Sequence, residues 1–173
     1  MRAHDVLIEA AGRPATAAEE LLAELPPERL NAHPANHPNS IAWLLWHAAR
    51  QQDAQLADLS GEPQLWTSRG FADRFGDTAP AEDVGYGHSD EQARAVVVDD
   101  AALLGDYLRA TTDAVIAYVN ELPEPALDDV VDRAWDPPVT RMVRLVSIID
   151  DAAQHVGQAA YAAGTDPVAS GAA

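Results

Sequence analysis

Residues 139–164, VTRMVRLVSIIDDAAQHVGQAAYAAG, decide the fold class. Met142, Leu145, Val146, Ile149, Ala152, Ala153, Val156 and Ala160 recur at helical spacing and define a broad apolar stripe that must pack against other helices. Asp151 and His155 stand at i and i+4, so their side chains stack on one side of this helix, beside Ile148 and Ala159 at the margin of the stripe. As a surface pair they would stabilise the helix by only about 0.2–0.5 kcal/mol. As a carboxylate and an imidazole they can also converge on one cation. His47, far away in sequence on a second strongly apolar helix, offers a third ligand, and three such ligands leave one metal position open.

Three more long helices lie upstream. In residues 99–122, Leu103, Leu104, Tyr107, Leu108, Thr111, Val115, Tyr118, Val119 and Leu122 fall on one stripe, with Asp99 the expected N-cap and Pro123 and Pro125 the stop. Asn39 or Ser40 caps a helix from Ile41 to about Leu59, with Ile41, Leu44, Leu45, Ala48, Leu56 and Leu59 on its main face. Trp43, His47 and Gln51 line up along an adjacent side of it, and Gly61 and Pro63 end it. Residues 5–25 repeat Val6, Leu7, Ile8, Ala10, Ala17, Ala18, Leu21, Leu22 and Leu25 in a helical pattern, which Gly12 and Pro14 are expected to kink or split. The loop NAHPANHPNS that follows holds His33 and His37, which are more simply solvated than ligating.

The connections are equally informative. Residues 62–88 are rich in Gly, Pro, Asp and Ser, with Leu65, Trp66, Phe71 and Phe75 scattered among them. A connection of this length is expected to cross the bundle with little regular structure, its aromatics packed down. Ser89 caps a short helix through Val96, and residues 124–138 form a second loop-rich link with one turn near 126–131 and no strand. The expected architecture is an all-α four-helix bundle over residues 1–164, with a long crossover between its second and third helices and a frayed tail at 165–173.

With 173 residues the chain can bury about two-thirds of its unfolded surface without staples, and one domain is the simplest organisation. It contains no Cys, so metal ligands must come from His, Asp and Glu, and any thiol chemistry requires an external thiol. The formal charge of −17, from 28 acidic residues and 11 arginines without a single lysine, argues against a polyanion-binding function. Neither nucleic acid nor an anionic membrane would find clustered cations. No apolar run approaches the length of a membrane span, and residues 1–14 lack the apolar core of a signal peptide, so a cytoplasmic location is expected.

The segments NSIAWLLWHAARQQDAQLADLSG, pivoting on His47, and DDAAQHVGQAAY, with His155 followed by Gly157 and Gln158, resemble the two signature helices of the DinB/YfiT-like superfamily. The likeness extends over most of the chain and leans toward the actinobacterial branch that contains the metal-binding domain of mycothiol-dependent maleylpyruvate isomerase. It implies a divalent metal held by His47, Asp151 and His155, where Asp151 occupies the position at which many members carry His and the isomerase branch carries Glu. Asp150 is the register competitor. Zinc is the first choice from two imidazoles and a carboxylate, with nickel, iron or manganese compatible. The resemblance further implies a small-molecule thiol of the mycothiol type as cosubstrate and an electrophilic substrate, with a thiolate as nucleophile. Maleylpyruvate isomerisation itself is not expected, because the residues after the fourth helix leave no room for that enzyme's extra domain.

Two residues are expected to serve the thiol or substrate: Gln158, by orienting a bound group, and Arg144, seven residues before Asp151, by guiding a carboxylate unless it pairs with the surplus acids. No residue stands out as a general base. A metal-dependent hydrolase and a non-catalytic metal-binding bundle are the competing readings, and the pattern allows a homodimer.

Overall fold

The computed structural model describes residues 2–79 and 83–165. Most of the expected tail therefore lies outside the described residues. Four long helices, α1 (Ala3–Glu24), α2 (Ile41–Ser60), α6 (Ala101–Glu121) and α7 (Arg141–Gly164), form the bundle. Three short ones sit in the crossover, α3 (Leu65–Ser68), α4 (Phe71–Phe75) and α5 (Asp90–Ala95). The fold class is all-α and bundled, as the periodicity predicts.

Helix boundaries follow local chemistry. Ser40 Oγ accepts from the Trp43 amide at the start of α2, and Gly61, with φ of 75°, closes its C-terminus. Ser89 and Gln92 make a reciprocal capping box at α5. The cap of α6 is Asp100, which accepts from Leu103 N at 3.1 Å, one residue later than expected. Pro14 neither splits nor ends α1, which runs continuously through it. The buried face of Leu7, Ala11, Pro14, Ala15 and Ala18 holds the helix together across the missing amide. At the far end of α7, the Arg29 guanidinium donates to the carbonyls of Ala162, Ala163 and Thr165, placing a cation where the helix leaves its last acceptors unpaired.

Packing places α2 between α6 and α7, while α1 contacts the same two helices from the other side. The second and fourth long helices are therefore neighbours, the arrangement His47 needs in order to meet Asp151 and His155. The apolar stripe of α7 is rotated from its sequence reading. Ile148 and Ala159, expected at the margin, are fully buried, whereas Met142, Val146, Ala153 and Ala160 are exposed. The rotation carries Asp151 and His155 inward, toward α2.

The two connections are more structured than expected. Trp66, Phe71 and Phe75 of the crossover pack against Tyr107 of α6 with ring centroids 4.6–5.8 Å apart. Two strands unseen in the sequence, β1 (Val130–Asp132) and β2 (Val139–Thr140), pair antiparallel just before α7. They are too short for period-two alternation to show.

Burial of α2 extends beyond the face read from the sequence, to nearly all sides from Ile41 to Asp53. The polar run Arg50–Gln51–Gln52–Asp53 therefore faces protein in every direction. Asp53 Oδ1 accepts from Leu65 N, and Oδ2 from Trp66 N and Tyr107 Oη, each at 2.7 Å. Arg50 donates to Gln64 Oε1 at 2.9 Å and Tyr107 Oη at 3.2 Å, lies over the Trp66 ring at 4.5 Å, and stands 3.8 Å from Asp53. Gln52 accepts from Thr111 and Thr112 on α6. Removing one partner of such a buried network leaves the rest desolvated and unpaired. Asp53→Ala is expected to destabilise the fold by about 3–5 kcal/mol and Tyr107→Phe by about 1.5–3 kcal/mol, read as changed urea midpoints at unchanged slope.

Candidate metal centre

His47, Asp151 and His155 come together at the α2–α7 seam, each offering a ligand atom within 4.8 Å of the others. The His47 and His155 rings meet edge to face at 4.6 Å, and His155 Nε2 lies 3.6 Å from Asp151 Oδ1. Asp150 turns away; it is exposed and accepts from Gln154 at 2.6 Å. The loop histidines stay out of the cluster. His33 Nδ1 donates to the His37 carbonyl at 3.1 Å, and His37 Nδ1 accepts from the Asn39 amide at 3.1 Å.

The free nitrogens of the two imidazoles are set by their outer partners. His47 Nδ1–H donates to the Val84 carbonyl, and His155 Nδ1–H donates to Gln158 Oε1 at 3.0 Å. Each ring thus keeps its Nε2 lone pair for a ligand, the outer-sphere pattern that orients metal-binding histidines. Asp151 Oδ2 is a buried oxygen with no hydrogen-bond partner. An orphaned carboxylate oxygen beside two available imidazole nitrogens fits a divalent cation, which would satisfy the atom that the protein leaves unpaired.

Electrostatics separate the two histidines. Burial pushes the His47 imidazole below its usual value, aided by the nearby His155, although Val84 and Asp151 oppose the shift. Burial also depresses His155, but the Asp151 carboxylate, together with Gln158, outweighs it and holds this ring above its usual value. His47 is consequently the readier ligand at neutral pH.

The surroundings are built from both helices and two loops. Trp43, one turn before His47, stacks on it at 4.8 Å and 12°. Gln51, one turn after, donates to the Ile148 carbonyl of α7 at 3.2 Å and so ties the helices together beside the site. A groove of about 860 Å³ opens over His155, lined among others by His37, Asn39, Gln154, Gln158 and Tyr161. Tyr161 is 77% exposed there, whereas Trp43 is buried. Ala35 and Asn36, both with left-handed φ, turn the preceding loop so that His37 reaches this groove. Arg144 does not line it. That guanidinium pairs with Asp132 at 3.0 Å and approaches Gln55 at 3.4 Å, in a separate polar cleft.

Sequence reasoning missed the loop that covers His47. Asp83, Val84 and His88 close over the ring, and the spacing of Gly85 and Gly87, both with positive φ, was the signal available for a tight approach.

Comparison with known proteins agrees with this geometry. The DinB superfamily profile matches residues 13–159, a span that contains all three clustered side chains. A solved structure described as the conserved protein of locus from Enterococcus faecalis is 39% identical, with a TM-score of 0.87, over 94% of this chain and 96% of that one. No curated protein matches. A family match across most of the sequence, together with the bundle and its His–Asp–His cluster, places this chain in the DinB superfamily, whose members generally bind metal.

Proposed function

We propose that this protein is a metal-dependent transferase acting on a small-molecule thiol of the mycothiol type, with zinc as the preferred ion. The carrying observation is the orphaned oxygen of Asp151, a carboxylate clustered with two imidazoles whose outer nitrogens are already engaged. Two nitrogens and one oxygen make a three-ligand set that suits zinc and keeps a coordination position for a substrate. When bound there, a divalent cation supplies the positive charge that lowers the pKa of a thiol.

The chain's own residues select and orient the thiol. The described residues lining the groove include no Asp, Glu or Arg, and Arg144 is held elsewhere by Asp132. Their polar groups are amides, hydroxyls and imidazoles, which match a hydroxyl- and amide-rich carrier. A thiol bearing free carboxylates would meet no arginine or lysine along the groove and would approach a chain of charge −17. Gln158 holds His155 through Nδ1 and keeps its amide group at the groove wall for the incoming molecule. Tyr161 provides an exposed aromatic face beside it.

Metal analysis tests the ligand set first. His47→Ala and His155→Ala are each expected to purify without stoichiometric metal. Asp151→Asn weakens affinity in chelator competition by losing the anionic charge, and Asp151→His restores it with altered preference among zinc, nickel and iron. Equal affinity in all three Asp151 forms would exclude that carboxylate from the site.

Proton competition gives a second test. His155, held above its usual value of 6.5, is protonated first as the pH falls, so affinity is expected to drop about tenfold per pH unit below its pKa. Depressed His47 competes only in more acidic solution, where the slope doubles. Isothermal titration over a falling pH series reads both slopes.

The reaction itself is tested with metal-loaded protein, a generic electrophile and a thiol panel. Turnover is expected with the neutral, sugar-like thiol and at least tenfold less with thiols carrying free carboxylates. Equal rates across the panel, or none with any thiol, would remove the transferase assignment.

A further inference from the structure

The crossover ends in a loop, residues 83–88, that lies directly against His47 and is tied down on both sides of it. Its hydrogen bonds have only one consistent direction. An indole nitrogen can only donate, and Trp43 Nε1 donates to His88 Nδ1 at 3.1 Å. The His88 proton is therefore on Nε2, which donates to Asp83 Oδ2 at 2.7 Å. The other Asp83 oxygen accepts from the Gly85 amide at 2.7 Å, and the Asp83 carbonyl accepts from Arg50 Nε at 3.1 Å. Trp43 and Arg50 lie on α2, four residues before and three after His47. The loop is thus anchored at both, and between the anchors Val84 presents its carbonyl to His47 Nδ1.

The fit leaves no slack. At Gly85, with φ of 86°, a Cβ would stand 2.8 Å from His47 Nδ1, 3.0 Å from Trp46 and 3.2 Å from Trp43. Loop backbone therefore presses against one edge of the imidazole while the Trp43 ring covers its face. A neutral imidazole in water favours the proton on Nε2, the nitrogen that must here carry a lone pair toward Asp151 and His155. With the Val84 carbonyl in place, that tautomer would aim a lone pair at an oxygen.

We propose that residues 83–88 form a strap that selects the Nδ1–H tautomer of His47 and fixes its orientation, making His88 and Asp83 positioning residues for a ligand they do not touch. This inference rests on reading His47, Asp151 and His155 as a metal centre. It adds that the site's affinity is set partly by a loop remote in sequence from every ligand.

The test uses the full chain, labelled with ¹⁵N-histidine and freed of metal, in wild-type, His88→Ala and Asp83→Asn forms at mildly alkaline pH. Long-range ¹H–¹⁵N correlation spectra report the tautomer, with the His47 signals assigned by their loss in His47→Ala. Wild-type His47 is expected to be wholly Nδ1–H, and both variants to show a mixture with Nε2–H. Zinc affinity in chelator competition should fall by about 10–100-fold at unchanged stoichiometry. A His47 that remains wholly Nδ1–H in His88→Ala overturns the strap, and Asp83→Asn decides in the same way should His88→Ala fail to fold. A wild-type protein that takes up no zinc would refute the metal centre instead, while its metal-free spectra still judge the strap.

Discussion

Four consecutive polar residues in the middle of a buried helix constrain the rest of this molecule. Arg50, Gln51, Gln52 and Asp53 point in directions about 100° apart around α2, and each has to find partners in a different neighbour. Arg50 is answered by Gln64 and the end of the crossover, Gln51 by a carbonyl of α7, Gln52 by two threonines of α6, and Asp53 by the first amides of α3 and the hydroxyl of Tyr107. Apolar stripes alone would allow these helices to slide or rotate relative to one another. A buried amide or carboxylate permits far fewer placements, because a lost partner leaves the full desolvation cost uncompensated.

The candidate metal centre inherits its precision from that arrangement. His47 stands one turn before Gln51 on the same side of α2, so the bond from Gln51 to Ile148 sets the height at which α7 passes and brings Asp151 and His155 opposite the imidazole. Arg50, one turn from His47 on another side, holds the Asp83 carbonyl and with it the loop whose Val84 orients the ring. Core polarity and site geometry are therefore parts of a single network.

Charge is divided just as clearly. Most of the excess acid is on the surface, where it is solvated, while Arg144 is paired with Asp132 in its own cleft and Arg29 closes the end of α7. The groove above His155 contains no Asp, Glu or Arg among its described lining residues.

The sequence by itself determined the four long helices, most of their caps and the grouping of three candidate ligands. Helical periodicity, Ser40 and Gly61 are local signals, and Asp151 with His155 is a spacing that a single helix already turns into a shared face. The family likeness to the DinB pattern joined His47 to them. Local information failed wherever a residue's meaning depended on what packs against it. The run 50–53 carries no sign of its partners, the α7 stripe reads one position off, and Pro14 reads as a break that burial overrides. Asp83, Val84 and His88 are undistinguished loop residues until the crossover folds back over α2. Only the tertiary structure decided these points, because hydrogen-bond partners and burial are properties of long-range contact, which the pattern along a chain does not contain.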